Sequence, residues 1–232
     1  MRVVAIPYRP LSNCDMIDRM IPIESLRLHT LSGLELIGTA AFAVSGVLSA
    51  MRKNMDMVGI CVCGFLAAFG GGTLRDVLID RRPFFWVEHE EALLGIVLFC
   101  MACATLFKQR HLERGQKWLQ LPDAIGLGLF CTTGMHLAWT MGYAPVVAVL
   151  MGIVTATFGG VLRDVVCNEI PQLFNDHRPY AVCALVGGVT YAVLHGVTTL
   201  EWLPVAACAI VTTTLRMLSI WLDWKLPSHT QE

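Results

Sequence analysis

The chain of 232 residues contains an internal repeat with a fixed offset of 88 residues. Segment 71–77 reads Gly-Gly-Thr-Leu-Arg-Asp-Val, and segment 159–165 reads Gly-Gly-Val-Leu-Arg-Asp-Val. Between residues 33 and 89, the same offset aligns 16 identical residues in 57 positions without a gap. Self-similarity at a fixed period indicates that one structural unit is present twice.

The composition places both copies in a membrane. Hydrophobic residues make up 55% of the chain and charged residues 15%, with a mean hydropathy of +0.60. In a typical soluble domain, about 45–50% of the residues are hydrophobic and about 25% are charged. The apolar runs reach the roughly 20 residues that a helix needs to cross a bilayer, and they lack the alternation of β-barrel strands. We therefore predict an all-α membrane protein with seven transmembrane helices, at 33–51, 57–79, 91–107, 122–141, 145–166, 180–196 and 202–221.

Each copy of the repeat contains three of these predicted helices, and the seventh follows alone. Because an odd number of crossings reverses the chain direction, the second copy enters the membrane from the opposite side. Inverted repeats of this kind are common among transporters. The predicted organisation is a polar N-terminal tail (1–30), a first three-helix repeat (31–109), a basic linker (110–120), a second inverted repeat (121–198), a seventh transmembrane helix (199–224) and a C-terminal tail (225–232).

Lysine and arginine side chains predict the orientation. They concentrate after the first, third and fifth predicted helices and at the C-terminal end, for example at Arg52, Lys53 and Arg178. Because cytoplasmic loops carry an excess of these residues, they predict how a multi-pass membrane protein is oriented. Its N-terminus is predicted to lie outside and its C-terminus in the cytoplasm.

Several functional classes are not supported by the sequence. The net charge of -1 gives no reason to expect nucleic acid as a partner. The nine cysteines are odd in number and lie mostly in apolar runs, where cysteine acts as a small hydrophobe. Motifs for phosphate-binding loops, serine hydrolases and zinc proteases are missing from the sequence. We therefore expect no enzymatic activity, no cofactor and no metal site.

Glycines interrupt the second and fifth predicted helices at equivalent places, 70–72 and 159–160. Glycine weakens a helix by roughly 1 kcal/mol per residue relative to alanine, so each run predicts a kink or a short unwound stretch. Backbone groups freed in this way must face protein or water, which predicts hinges that border a pore. The alternative is that glycine allows helices to pack closely. The predicted hinge residues are Gly70, Gly71, Gly72, Gly159 and Gly160.

Arg75 and Asp76, with their equivalents Arg163 and Asp164, are charged residues inside apolar runs. Each costs about 2.5–3.5 kcal/mol at the centre of a membrane helix, so such residues usually face a partner or water. Neighbours in sequence point about 100° apart on a helix, so we expect each charge to pair with another helix, for example one in the other repeat. The two roles considered are pore charges and structural locks between helices.

Further polar residues are candidates for a pore. The equivalent acids Glu35 and Asp123 are predicted to open the first and fourth helices, where they attract cations at the pore mouths or interact with the helix dipole. Threonine and serine in membrane helices often bond their own helix instead of lining a pore. The candidate lining residues are Ser45, Thr73 and Thr133.

The doubled motif, Gly-Gly-Gly-Thr-Leu-Arg-Asp from residue 70 and Phe-Gly-Gly-Val-Leu-Arg-Asp from residue 158, resembles that of the prokaryotic TRIC (trimeric intracellular cation) channels. Bacterial members are also described as paired glycine-transporter-domain proteins. The resemblance covers about residues 33–220. It implies a homotrimer in the bacterial inner (plasma) membrane, with one pore in each subunit that is bounded by the kinked second and fifth helices and permeable to monovalent cations, chiefly potassium. Phe158 replaces Gly70 in the second copy, so an aromatic side chain is expected beside that path.

Three functions are compatible with these features. The first is a potassium-permeable channel in membrane lipid, with K⁺ or Na⁺ as the permeant species. The second is a secondary transporter of a small zwitterion such as glycine, because such carriers also use inverted repeats with discontinuous helices. The third is a membrane scaffold in which the charged pairs only lock helices together.

Overall fold

The structure is a computed structural model that describes residues 23–106, 116–175 and 178–224. Seven long helices and two single-turn helices form in these ranges. They are α1 (Ile23–Arg52), α2 (Met57–Leu78), α3 (Phe85–Glu88), α4 (Glu90–Leu106), α5 (Gln116–Thr140), α6 (Pro145–Val166), α7 (Gln172–Asn175), α8 (Ala181–Val197) and α9 (Trp202–Trp221).

The seven long helices coincide with the seven predicted apolar runs. The bounds of α2, α4, α6, α8 and α9 agree with the prediction within one residue. In contrast, α1 begins at Ile23 instead of 33, and α5 begins at Gln116 instead of 122. The prediction measured the apolar length that fits a bilayer, whereas a helix can continue through polar residues beyond it. The predicted tail 1–30 and linker 110–120 therefore overlap helices, while 1–22, 107–115 and 225–232 lie outside the described residues.

The all-α membrane fold is confirmed. Among the described residues, four helices are long and apolar enough to cross a membrane, and α8 is a shorter apolar helix. The number of helices that cross the bilayer stays a prediction. The four are Ser32–Arg52, Met57–Leu78, Pro145–Val166 and Trp202–Trp221.

The chain divides into two units at Gly33. Of the first unit, 1–33, the structure describes the start of α1 from Ile23. The second unit, 34–232, has two hydrophobic cores, one for each repeat. One core contains Val47, Phe69 and Cys100 from α1, α2 and α4. The other contains mainly residues of α5, α6, α8 and α9, for example Leu127, Ala156, Ala184 and Cys208.

Helices α2 and α6 occupy equivalent places in the two repeats, and they pack against each other in antiparallel directions. A Cβ atom on Gly71 would overlap the carbonyl oxygen of Thr155, and one on Gly159 would overlap that of Ala67. These contacts are reciprocal, because the offset of 88 converts Ala67 into Thr155 and Gly71 into Gly159. Reciprocal contacts are what a two-fold relation between two copies produces. The arginines near the C-terminal ends of α2 and α6 therefore lie toward opposite ends of this helix pair.

Helices α2 and α6 are each followed by a turn of the same conformation. Asp80 and Asn168 have φ of 54°, a left-handed conformation that aspartate and asparagine adopt more readily than most residues. The amide of Arg81 donates to the carbonyl of Asp76 at 2.8 Å, and the amide of Glu169 donates to that of Asp164 at 2.9 Å. This turn holds each repeated Arg-Asp pair in the last turn of its helix.

Candidate functional site

The first-repeat cluster consists of Arg75, Asp76 and Glu35. Arg75 is fully buried; its Nε donates to Asp76 Oδ1 at 2.9 Å and its Nη2 donates to Glu35 Oε1 at 2.7 Å. Both carboxylates are also buried. Helix α2 supplies two of the three charges, and α1 supplies the third.

The second-repeat cluster consists of Arg163, Asp164 and Asp123, which are the equivalents at the offset of 88. Arg163 Nε donates to Asp164 Oδ1 at 2.8 Å, and its Nη1 donates to Asp123 Oδ1 at 2.5 Å. The same Nη1 donates to the hydroxyl of Ser45 on α1. All three charged residues are at most 3% exposed.

The pairing differs from the sequence-based expectation in one respect. We expected Arg75 and Arg163 to pair with other helices and not with the adjacent aspartates, because neighbouring side chains diverge on a helix. That expectation is wrong for the aspartates, because an arginine side chain is long and presents donors on several sides of its planar group. One guanidinium therefore binds its neighbour through Nε and a second helix through a terminal nitrogen. In both clusters the second acid belongs to the same repeat, and Ser45 is the contact of Arg163 with the other repeat.

The acids Glu35 and Asp123 do not open their helices. Glu35 lies well inside α1, and Asp123 lies beyond the first turn of α5. The helix-dipole explanation is therefore wrong for both, since that effect is confined to the first turn. Each acid is buried against an arginine, and a role at a pore mouth stays a prediction.

Each cluster leaves polar atoms without a protein partner. Within the described residues, these atoms are Arg75 Nη1 and Asp76 Oδ2 in the first cluster, and Arg163 Nη2 and Asp123 Oδ2 in the second. Burying such atoms without a hydrogen bond costs free energy, and proteins normally satisfy them with water. Both clusters therefore offer one donor and one acceptor to a small polar species.

A cavity of about 10 Å³ lies beside the first-repeat cluster, close to the space that one water molecule needs. Its polar lining includes Glu35, Thr39 and Thr73. Thr73 donates to the carbonyl of Phe69 on its own helix and accepts a hydrogen bond from Trp86 Nε1 at 3.2 Å. Thr73 is thus held in place at the edge of a small polar space.

The second-repeat cluster is closed by residues that the sequence-based reasoning missed. The amide of Gln172 donates to Asp164 Oδ2 at 2.8 Å. The guanidinium of Arg216, fully buried on α9, lies 4.6 Å from the centre of the Tyr180 ring, and Arg216 Nη2 donates to Gln172 Oε1 at 3.4 Å. Arg216 carried a usable signal, since an arginine within an apolar helix indicates a buried partner. Gln172 and Tyr180 carried none.

The repeated glycines lie within continuous helices. Helix α2 runs through Gly70–Gly72, and α6 runs through Gly159 and Gly160. The predicted unwound stretch is therefore wrong, and a kink stays a prediction. At Gly71 and Gly159 the structure favours the packing alternative, because a side chain at either position would collide with backbone of the other helix.

Gly72 and Gly160, in contrast, lie next to the charged clusters. A Cβ on Gly72 would lie 3.7 Å from Glu35 Oε1, an ordinary contact. A Cβ on Gly160 would lie 2.8 Å from the Tyr180 hydroxyl and 3.6 Å from Arg163 Nη2. These two glycines bring the helix backbone up to the polar groups.

The remaining candidate residues have different surroundings. Thr133, the equivalent of Ser45, is buried and donates to the carbonyl of Phe130 on its own helix at 3.4 Å. Phe158 is half-buried on α6, and a Cβ on Gly70 would meet the side chain of Leu162. A pore-lining role for these residues stays a prediction.

Comparison with known proteins identifies the repeat. A protein-family model described as glycine transporter matches residues 33–109 and again residues 120–196. The UPF0126 inner membrane protein YadS of Escherichia coli (strain K12) is 36% identical over 197 residues, which are 84% of this chain and 94% of that protein. The UPF0126 membrane protein YvgT of Bacillus subtilis (strain 168) is 32% identical over 201 residues, with coverage of 85% and 95%.

Solved structures agree with this assignment. A TRIC trimeric intracellular cation channel orthologue from Rhodobacter sphaeroides is 33% identical, with a TM-score of 0.74 over 84% of this chain and 99% of its own. A second structure, described as a TRIC cation channel, is 32% identical, with a TM-score of 0.76 over 86% and 97%. The chain therefore belongs to the family that the glycine-transporter model defines, which includes the UPF0126 membrane proteins and the prokaryotic TRIC channels.

Proposed function

We propose that this protein is a potassium-permeable, monovalent cation channel of the bacterial inner membrane. In this proposal it assembles as a homotrimer, and each subunit contains its own pore bounded by α2 and α6. The seven long helices cross the bilayer as two inverted three-helix repeats plus α9, with the N-terminus outside and the C-terminus in the cytoplasm.

The observation that carries the proposal is the pair of buried clusters at opposite ends of the antiparallel α2–α6 pair. Two carboxylates surround the buried arginine of the first cluster, which favours cations over anions, whereas Arg216 beside the second cluster balances its second carboxylate. Both clusters also leave a donor and an acceptor without a protein partner, so each is suited to hold water within the membrane-embedded part of the protein. The solved relatives described as TRIC cation channels support the same function.

In this proposal, conduction uses neither chemical energy nor a resident cofactor. The carboxylates of Glu35 and Asp123 are fixed by arginines, so each can interact with a passing cation through a free oxygen or through water. Gly72 and Gly160 keep the helix backbone close to these groups without covering them. Small changes in the α2–α6 contact would therefore change access to both clusters, which is the gating we propose for the predicted hinges.

The experiment is single-channel recording of the purified protein in planar bilayers with potassium as the permeant ion. Gly72→Ala is the informative variant, because its methyl group fits the structure but lies beside Glu35 and Arg75. We expect it to change the open probability or conductance by at least about twofold while the melting temperature is unchanged or slightly raised. Gly95→Ala is the matched control, since a Cβ at Gly95 on α4 meets nothing within 4 Å.

The same preparation distinguishes the alternative. The family description as glycine transporter favours a second candidate, in which the clusters bind the carboxylate and amine of a zwitterion. Saturable glycine uptake into liposomes, coupled to a proton or sodium gradient and without channel events, would replace the channel proposal. A protein that carries neither potassium current nor glycine flux, at any voltage, would overturn both.

A further inference from the structure

Two cysteines from different repeats lie side by side where α2 meets the end of α6. Cys63 Sγ, on α2, is 3.7 Å from Cys167 Sγ, the residue that follows α6. Both are free thiols and are at most 3% exposed. A disulfide requires an S–S distance of about 2.05 Å, so the two sulfurs must come about 1.7 Å closer to form the bond (3.7 minus 2.05).

The pair lies close to the surface of the protein. Glu169, two residues beyond Cys167, forms an exposed ion pair with Lys53 in the turn after α1, at 2.6 Å. Cys63 belongs to the second turn of α2, which begins at Met57 directly after that turn. The sulfurs therefore lie directly beneath the loop residues at this end of α2 and α6.

The two thiols differ in position. Cys167 lies in the turn after α6, two residues before the exposed Glu169, and is 3% exposed, whereas Cys63 lies within α2 and is 0% exposed. The thiolate is the form of cysteine that reacts with peroxides and disulfides. A peroxide that arrives from the turn therefore meets Cys167 first, which makes Cys167 the attacking sulfur and Cys63 the sulfur that resolves the product.

We propose that Cys63 and Cys167 form a peroxide-reactive dithiol, which closes to a disulfide that joins α2 covalently to the end of α6. The Cys167 thiolate attacks one oxygen of hydrogen peroxide; an S–O bond forms, the O–O bond breaks, and the departing hydroxide takes a proton to become water. Cys63 then attacks the sulfenic sulfur of Cys167; the S–S bond forms, the S–O bond breaks, and a second water leaves. In total, two thiols lose two electrons and two protons, and one peroxide is reduced to two waters.

The chain contains a matched control pair. Cys131 on α5 and Cys208 on α9 have sulfurs 3.9 Å apart, nearly the same separation, but both lie within long helices, whereas Cys167 lies in the turn after α6. If proximity alone decided oxidation, the two pairs would react alike. If access from the turn decides it, only the Cys63–Cys167 pair reacts.

The experiment exposes the full-length protein in liposomes to hydrogen peroxide, followed by denaturation, alkylation of remaining thiols and mass spectrometry of the peptides. We expect a Cys63–Cys167 disulfide to form at least about tenfold faster than any Cys131–Cys208 disulfide. Reduction with dithiothreitol should restore alkylation of both residues. Unmodified Cys63 and Cys167 after treatment, or equal oxidation of the two pairs, would overturn the proposal.

Single variants test the order of attack. Cys63→Ser should accumulate a sulfenic acid at Cys167 that a dimedone probe traps, whereas Cys167→Ser should leave Cys63 essentially unlabelled. Labelling of Cys63 in Cys167→Ser at the rate seen for Cys167 would contradict the assigned roles. Melting temperatures of both variants within a few degrees of the parent protein show that the labelling reports reactivity and not unfolding. Because every readout is chemical, the result does not depend on which species the protein transports.

Discussion

The first-repeat and second-repeat clusters contain equivalent charged residues but differ in the additional residues that surround them. In the first, the nearest additional cation to Asp76 is Arg81, whose Nη1 is 3.8 Å from Oδ1 and whose side chain is 28% exposed. In the second, the equivalent of Arg81 is Glu169, and Asp164 instead receives the Gln172 amide, with Arg216 and Tyr180 beside it. The first cluster is thus completed toward solvent, and the second by the backbone amide of the half-buried Gln172 with the buried side chains of Arg216 and Tyr180.

This difference shows what duplication of a sequence does and does not transmit. The ion pairs recur because all their members lie within the repeat and keep their spacing of 40 residues. The closing residues do not recur, because Arg216 belongs to α9, which has no second copy, and Gln172 replaces Phe84. Two ends of one structure can therefore acquire different access to water while retaining the same charged centre.

Substitution of the central arginine of either cluster should change the free energy of unfolding more than any other variant considered. Arg75→Met should lower the free energy of unfolding by about 3–5 kcal/mol, because it leaves two buried carboxylates without their partner. Arg163→Met should lower it by about 1 kcal/mol less, since the Gln172 amide still binds Asp164 directly, and such a bond is worth more than the screened contact of Arg81. Thermal unfolding in detergent micelles measures both.

A double variant tests whether unpaired charge causes this loss of stability. Glu35→Gln added to Arg75→Met removes one of the two unpaired charges, so the double variant should be more stable than Arg75→Met alone. An equal or lower melting temperature for the double variant would show that lost packing, and not unpaired charge, causes the effect. A larger loss for Arg163→Met than for Arg75→Met would reverse our ranking of the two clusters.

Removal of the Ser45 hydroxyl, which accepts a hydrogen bond from Arg163 of the other repeat, should lower stability by a smaller amount. Ser45→Ala removes the hydrogen bond from Arg163 and should cost about 1.5 kcal/mol, as for hydrogen bonds to charged groups. Thr133→Val is the matched change at the equivalent position, where the hydroxyl bonds only its own helix among the contacts described, and should cost about 0.5 kcal/mol or less. Equal melting temperatures for the two variants would mean that Ser45 contributes nothing specific to the cluster.

The smallest effect should come from the two glycines beside the clusters. Gly160→Ala places a methyl group 2.8 Å from the Tyr180 hydroxyl and should cost about 1 kcal/mol. Gly72→Ala meets nothing closer than 3.7 Å and should be neutral or stabilising by up to about 1 kcal/mol. Tyr180→Phe should restore the stability of Gly160→Ala, measured by thermal unfolding. If Gly160→Ala is already as stable as the parent, the second cluster is less tightly closed than the structure indicates.

Local sequence patterns determined the helices and the identity of the charged residues. Apolar length predicts each long helix because a bilayer sets the length that must be hydrophobic, and this placed five of the seven within one residue of their bounds. The offset of 88 also singled out Glu35, Asp123 and both Arg-Asp pairs, because repeated polar residues in apolar helices are costly unless they have a use. The starts of α1 and α5 were missed, since helices extend past the apolar length.

Only the tertiary structure decided which groups meet. Gly71 and Gly159 are contact points between antiparallel helices. Whether a position requires glycine depends on which atoms of the other helix lie opposite it, and the sequence does not show those atoms. The same holds for Arg216, Tyr180 and Gln172, which come from separate segments, and for Cys63 and Cys167, which are 104 residues apart in the chain. Distances between helices are set by packing of whole surfaces, and no local pattern of residues contains that information.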